Sequence, residues 1–232
     1  MNKRRPEPPD FELVIFDCDG VLIDSEPIAN RVLADQLALA GLSLSCGEVM
    51  QRFVGRTKQG CLALAAELLG GNLPPDFPGD WDTALYDALR REVRPIAGIM
   101  ELVQQIAMPY CVASNSNRER MRVSLQASGL LPFFADRMFS SADVANPKPE
   151  PDLFLHAARS MGAAPGRCAV IEDTPTGVRA GVAAGMSVFG YVGGAHSNAD
   201  ALQAEGARIF DDMRTLPMLI FRRAREQGGI DA

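Results

Sequence analysis

The stretch LVIFDCDGVLIDSE, residues 13–26, decides how the rest of the chain is read. Four apolar residues run straight into Asp17 and Asp19, set two apart, and Gly20 follows. A short, continuous, β-branched-rich run of this kind suits a strand covered on both faces, as in a parallel sheet. Two carboxylates this close repel, so something must offset them: a shared proton or a bound cation.

The same pattern recurs along the chain. FELVIFD (11–17), PYCVASN (109–115), RCAVIED (167–173) and MSVFGY (186–191) are each a short apolar run bounded by turn formers. Helical patterns at 97–107, 117–128, 150–161 and 175–184 lie between or beside them. This β-α-β-α order predicts an α/β fold, a doubly wound parallel sheet. Such sheets bind ligands beyond the carboxyl ends of their strands. Three of the runs finish there in polar residues: Asp17/Asp19, Ser114/Asn115 and Glu172/Asp173.

One segment breaks the alternation. From Ile28 to Arg94 the pattern is helical throughout, with a Gly/Pro-rich break at GGNLPPDFPGD (70–80). The expected division is a Rossmannoid core of residues 10–27 and 95–232 with a helical cap, 28–94, over the sheet's ligand edge.

Composition excludes several classes. The 232 residues are 47% hydrophobic and 22% charged, ordinary for a soluble chain with a sizeable core. A net charge of −6, with no basic run among aromatics, argues against nucleic acid. Arg222, Arg223 and Arg225 read as a solvated helix end. The five cysteines are odd in number and never spaced C-x-x-C, which favours free thiols in a reducing cytosol. The start MNKRRPEPPDFE has prolines and acids where a signal peptide would be apolar, and no segment is long enough to span a membrane. The expectation is a cytoplasmic protein without membrane contact, monomeric or a small homo-oligomer, with a disordered leader to Pro9.

The strand ends carry the chemistry. Asp17, Asp19, Glu172 and Asp173 would form an all-oxygen site, which suits Mg²⁺ far better than zinc. Each pair alone is also compatible with plain helix capping. In SNSNRERM, Ser114 and Asn115 sit where a helix begins, a ready anion site, and Ser116 or Asn117 suits its N-cap. NPKPEPDLF holds Lys148 between two prolines, either a placed cation or a solvated loop lysine.

Taken in order, DCDGVLIDSE, ASNS, PKPEPDLF and VIEDTPTGVRAGVAAGM resemble the four motifs of the haloacid dehalogenase superfamily of phosphatases. The helical insert resembles that superfamily's C1-type cap, and the likeness spans roughly residues 11–215. The resemblance implies a Mg²⁺-dependent phosphatase of a small phosphorylated metabolite. It makes Asp17 the nucleophile and Asp19 the general acid and base. Asp17, the carbonyl of Asp19, Asp173 and, directly or through water, Glu172 would hold the metal. Ser114, the N–H of Asn115 and Lys148 would bind the phosphoryl oxygens. DSEP and IAMPYCVASNS look most like the sugar-phosphate branch, including 6-phosphogluconate phosphatases.

In the cap, FVGRTKQG (53–60) is the expected specificity loop. There Arg56 or Lys58 would meet a distal anionic group of the substrate, or else both are solvated turn residues. Related β-phosphoglucomutases carry a His twelve residues after the nucleophile, where this chain has Ala29. That departure disfavours the alternative of a sugar phosphomutase. A non-catalytic metabolite-binding protein is a further alternative, which an intact Asp17, Asp19, Lys148 and Asp173 disfavours.

Overall fold

Strand β1 (Leu13–Phe16) is buried along its whole length and lies in the middle of a parallel sheet. The computed structural model describes residues 11–53, 58–194 and 197–220. The other strands are β2 (Tyr110–Ser114), β3 (Met138–Ser140), β4 (Cys168–Glu172), β5 (Ser187–Tyr191) and β6 (Arg208–Phe210). Their order is β3-β2-β1-β4-β5-β6, with every pairing parallel.

Side chains alternate across β1, and each set enters a different apolar layer. Val14 and Phe16 face helices α5 (Ile99–Gln105), α6 (Arg118–Ala127) and α7 (Leu131–Phe134). Leu13 and Ile15 face α8 (Asp152–Ser160), α9 (Pro175–Ala183) and α10 (Ala199–Ala204). Helix α11 (Leu216–Ile220) joins the first layer through Leu216 and Ile220. Covering both faces explains why the strands are continuously apolar, and each fully buried Leu, Val, Ile or Phe contributes about 2 kcal/mol.

Four apolar runs are legible as strands, yet the sheet has six among the described residues. The two unforeseen members, β3 and β6, stand at opposite edges and are three residues each. A three-residue edge strand is too short to show a period.

Among its described residues the segment between β1 and α5 contains four helices, α1 (Glu26–Leu39), α2 (Cys46–Phe53), α3 (Lys58–Leu68) and α4 (Phe77–Glu92). Leu33, Leu37, Val49, Phe53, Cys61 and Phe77 form an apolar cluster of their own within it. The two connections run side by side: Asp24 donates to the Arg94 carbonyl at 3.0 Å and Ile96 to that of Leu22 at 2.9 Å. None of the five cysteines is in a disulfide, and Cys18 and Cys111 are fully buried fillers as expected. Among the described residues no helix is long and apolar enough to cross a membrane. The leader to Pro9 and the arginines at 222, 223 and 225 lie outside the described residues.

Candidate active site

Because the strands are parallel, their carboxyl ends share one edge, and the register sets what meets there. Phe16 pairs with Val112 on one side and Ile171 on the other. Asp17 extends β1 by donating its N–H to the Ile171 carbonyl at 2.9 Å. Asp17, Ser114, Glu172 and Asp173 are all buried, so each must be satisfied inside the protein or by a ligand.

Lys148 answers part of that demand. Its Nζ donates to Asp17 Oδ1 at 2.5 Å and Glu172 Oε1 at 2.6 Å, and lies 4.6 Å from the Phe154 ring centroid. Burial works against the ammonium, but Asp17 and Glu172 outweigh it and hold Lys148 firmly protonated. The residue is 6% exposed, so the reading of a solvated loop lysine is excluded.

Glu172 has little left over. Its Oε2 accepts from the Asp173 and Thr174 N–H groups and from Thr174 Oγ1, at 3.0, 3.1 and 2.9 Å. Thr174 is the N-cap of α9 and accepts from Gly177 N–H. A side chain at Gly177 would put its Cβ 1.8 Å from Glu172 Oε1, so glycine is what lets the carboxylate lie against the helix.

Asp19 is held differently. Its Oδ1 accepts from Ser25 Oγ and from Arg120 Nη2 at 2.9 Å, while Oδ2 accepts from Ser116 Oγ at 2.6 Å. Burial pushes this carboxyl up, but Arg120, Ser116 and Ser25 outweigh it and hold it below its ordinary value. Asn117 takes the N-cap of α6, accepting from Arg120 N–H. Arg120 was not foreseen. The signal was its place in the first turn of a helix that starts at the sheet's ligand edge.

The remaining carboxylates are short of positive charge. Burial first, then Glu172 and Asp19 against a countering Lys148, raises Asp17 to about 8. Burial, Glu172 and Asp17 push Asp173 well above the carboxylate range, and its buried Oδ1 has no hydrogen-bond partner among the described residues. Gly20, at φ +82°, brings the turn after Asp19 so close that a Cβ there would lie 1.9 Å from Asp173 Oδ2. An unpartnered buried carboxylate oxygen against the Asp17–Gly20 turn fits a hard divalent cation held by oxygen.

The four expected acids do not act alike here. Among the described residues no three Asp, Glu, His or Cys side chains form a metal cage by themselves. The Asp19 carboxylate is turned to Arg120 and the Glu172 carboxylate to Lys148 and α9. Asp17 and Asp173 are left, with the Asp19 backbone carbonyl as the third oxygen the resemblance supplies.

In the cap, Lys58 pairs with Asp82 of α4 and lies 5.9 Å from the Trp81 ring centroid. Arg56 lies outside the described residues. The cap meets the core where Tyr86 Oη of α4 accepts from Asn117 Nδ2 at 3.1 Å. Ala29 is partly buried against the apolar core.

The chain and its fold match known proteins. A family model for haloacid dehalogenase-like hydrolases covers residues 11–185. The chain is similar to the 6-phosphogluconate phosphatase of Escherichia coli K12, with 32% identity over 191 residues, 81% of this chain and 85% of that protein. A haloacid dehalogenase-like crystal structure from Agrobacterium tumefaciens C58, of unknown function, shares 37% identity and a TM-score of 0.79, covering 90% of this chain and 97% of that one. Another, from Deinococcus radiodurans R1 and solved with bound phosphate and sodium, shares 33% identity and a TM-score of 0.78, covering 94% of this chain and all of that one.

Proposed function

The chain belongs to the haloacid dehalogenase-like hydrolases, and we propose that it is a Mg²⁺-dependent phosphatase of a small sugar or sugar-acid phosphate, working through an aspartyl-phosphate. One observation carries this reading. Buried Asp17 ends the central strand with Lys148 at 2.5 Å, while Asp173 keeps an unpartnered buried oxygen beside it. Metabolite binding alone needs no nucleophile and no such concentration of acids.

In the proposed reaction an Asp17 oxygen attacks phosphorus and the bond from phosphorus to the substrate's oxygen breaks. Asp19 gives that leaving oxygen a proton, for which substrate must draw its carboxyl away from Arg120 and Ser116, the contacts that favour its ionised form. Water then attacks the same phosphorus, Asp19 takes its proton, and the Asp17–phosphorus bond breaks to free inorganic phosphate. Lys148, Ser114 and the Asn115 N–H receive the phosphoryl oxygens, where negative charge grows. Mg²⁺, held by Asp17, Asp173 and the Asp19 carbonyl, would supply further compensation for that charge. Glu172 keeps Lys148 and the start of α9 in place.

The name of the Escherichia coli relative supports a sugar-acid phosphate. Lys58, and Arg56 beside it in the chain, are proposed to select the substrate's distal anionic group. Ala29 offers no proton-transfer group where the mutases place a His, which favours hydrolysis over phosphoryl return. We place the division between core and cap at residues 28 and 94, and the protein in the cytoplasm.

A panel of phosphorylated metabolites assayed with and without Mg²⁺ tests the reading. Phosphate release that needs Mg²⁺ and disappears in Asp17→Asn supports it. Release that survives Asp17→Asn overturns it. Conversion of a hexose 1-phosphate to its 6-isomer without free phosphate would point to the mutase instead.

A further inference from the structure

Lys148 lies on a segment that cannot hold itself. Pro147, Pro149 and Pro151 alternate with Lys148 and Glu150, so every other residue lacks an N–H to donate. The segment lies between β3 and α8 and belongs to no strand. Its own turn bond runs from Glu150 N–H to the Pro147 carbonyl and bypasses Lys148. Among the described residues, the Lys148 backbone instead bonds to one side chain. Lys148 N–H donates to Asn115 Oδ1 at 3.1 Å, and Asn115 Nδ2 donates to the Lys148 carbonyl at 2.9 Å.

A carboxamide matches this task because it offers one donor and one acceptor at the spacing of a peptide group. Asn115 follows directly on β2, so its amide occupies the place of a neighbouring strand for a single residue. Aspartate lacks the donor, and serine has one oxygen for two partners.

We propose that Asn115 is the positioning residue for Lys148: its side-chain amide sets where the ammonium meets the phosphoryl group. The backbone N–H of Asn115 is a separate donor, which a side-chain substitution leaves in place. The Asp17 and Glu172 contacts tether the ammonium's far end, and the Asn115 clamp fixes its root. The inference rests on the reading of Lys148 as a phosphoryl-binding residue.

The prolines make the test direct, because Lys148 and Glu150 carry the exchangeable amides of segment 147–151. In metal-free Asn115→Ala, hydrogen exchange at the Lys148 amide should quicken about tenfold, as the loss of one well-made hydrogen bond allows. Exchange in β2 and β3 should stay at the wild-type rate. In the Mg²⁺-loaded enzyme, kcat for p-nitrophenyl phosphate should fall, and inhibition by inorganic phosphate weaken, each about tenfold or more. Lys148 exchange and kcat both unchanged would overturn the inference, as would equal acceleration throughout β2 and β3. Lys148→Met separates the two readings. If Lys148→Met is inactive while Asn115→Ala behaves as wild type, the clamp alone is wrong. If Lys148→Met keeps wild-type turnover, the role assigned to Lys148 is wrong.

Discussion

The strand-end cluster and the helical cap hold their charges in opposite ways. At the strand ends, Lys148, Asp17 and Glu172 have side chains 3%, 10% and 1% exposed, and each meets partners brought from distant parts of the chain. In the cap, Lys58 and Asp82 are 44% and 40% exposed, and they pair within the cap itself. A buried ion set without full pairing is costly, so the first arrangement is tightly determined. An exposed pair is worth little and can exchange partners, so the second leaves room for substrate choice.

Substitutions should separate the two regions by size of effect. Asp17→Asn should lower turnover by more than about a thousandfold, the loss expected on removing a nucleophile. A phosphate-release assay checks it, and a smaller loss would place the chemistry elsewhere. Lys148→Met should also abolish most activity. It strips two buried carboxylates of their cation, so denaturant titration should show a loss of about 3 kcal/mol. Gly177→Ala should come next, since the Cβ collides with the Glu172 carboxylate. It should cost about 1–3 kcal/mol of stability as overpacking does, and lower kcat by displacing Lys148's partner. Lys58→Ala should have the smallest effect: a KM change below about tenfold for substrates with a second anionic group, and an unaltered kcat. A loss in kcat comparable to that of Lys148→Met would erase the distinction between the regions.

Legibility in the sequence follows the same divide. The central strands β1, β2, β4 and β5 could be read because both faces are covered, leaving continuous apolar runs, three of which end in polar residues. Their carboxyl ends share an edge in any parallel sheet, so Asp17, Ser114 and Asp173 could be placed together without coordinates. Strands β3 and β6 escaped because three residues carry no period. The split among the acids escaped for another reason. Nothing in the spacing says that Asp19 will find Arg120, 101 positions on, or that Glu172 will serve Lys148, since such partners are chosen by packing. The Asn115 clamp is of the same kind, joining residues 33 apart. Within the cap, the expected specificity loop overlaps the end of α2 and the start of α3 in the sequence, but local pattern does not show which residue turns toward the substrate.

Thermal denaturation at neutral pH, with and without Mg²⁺, on the wild type and on Asp173→Asn reads the crowded acids most directly. Magnesium should raise the wild-type midpoint by several degrees, as roughly 1 kcal/mol or more of ligand stabilisation does. Asp173→Asn should melt no lower than the metal-free wild type and should lose most of that gain. A wild-type midpoint indifferent to Mg²⁺, together with an Asp173→Asn protein that melts well below it, would contradict the role given to the cation.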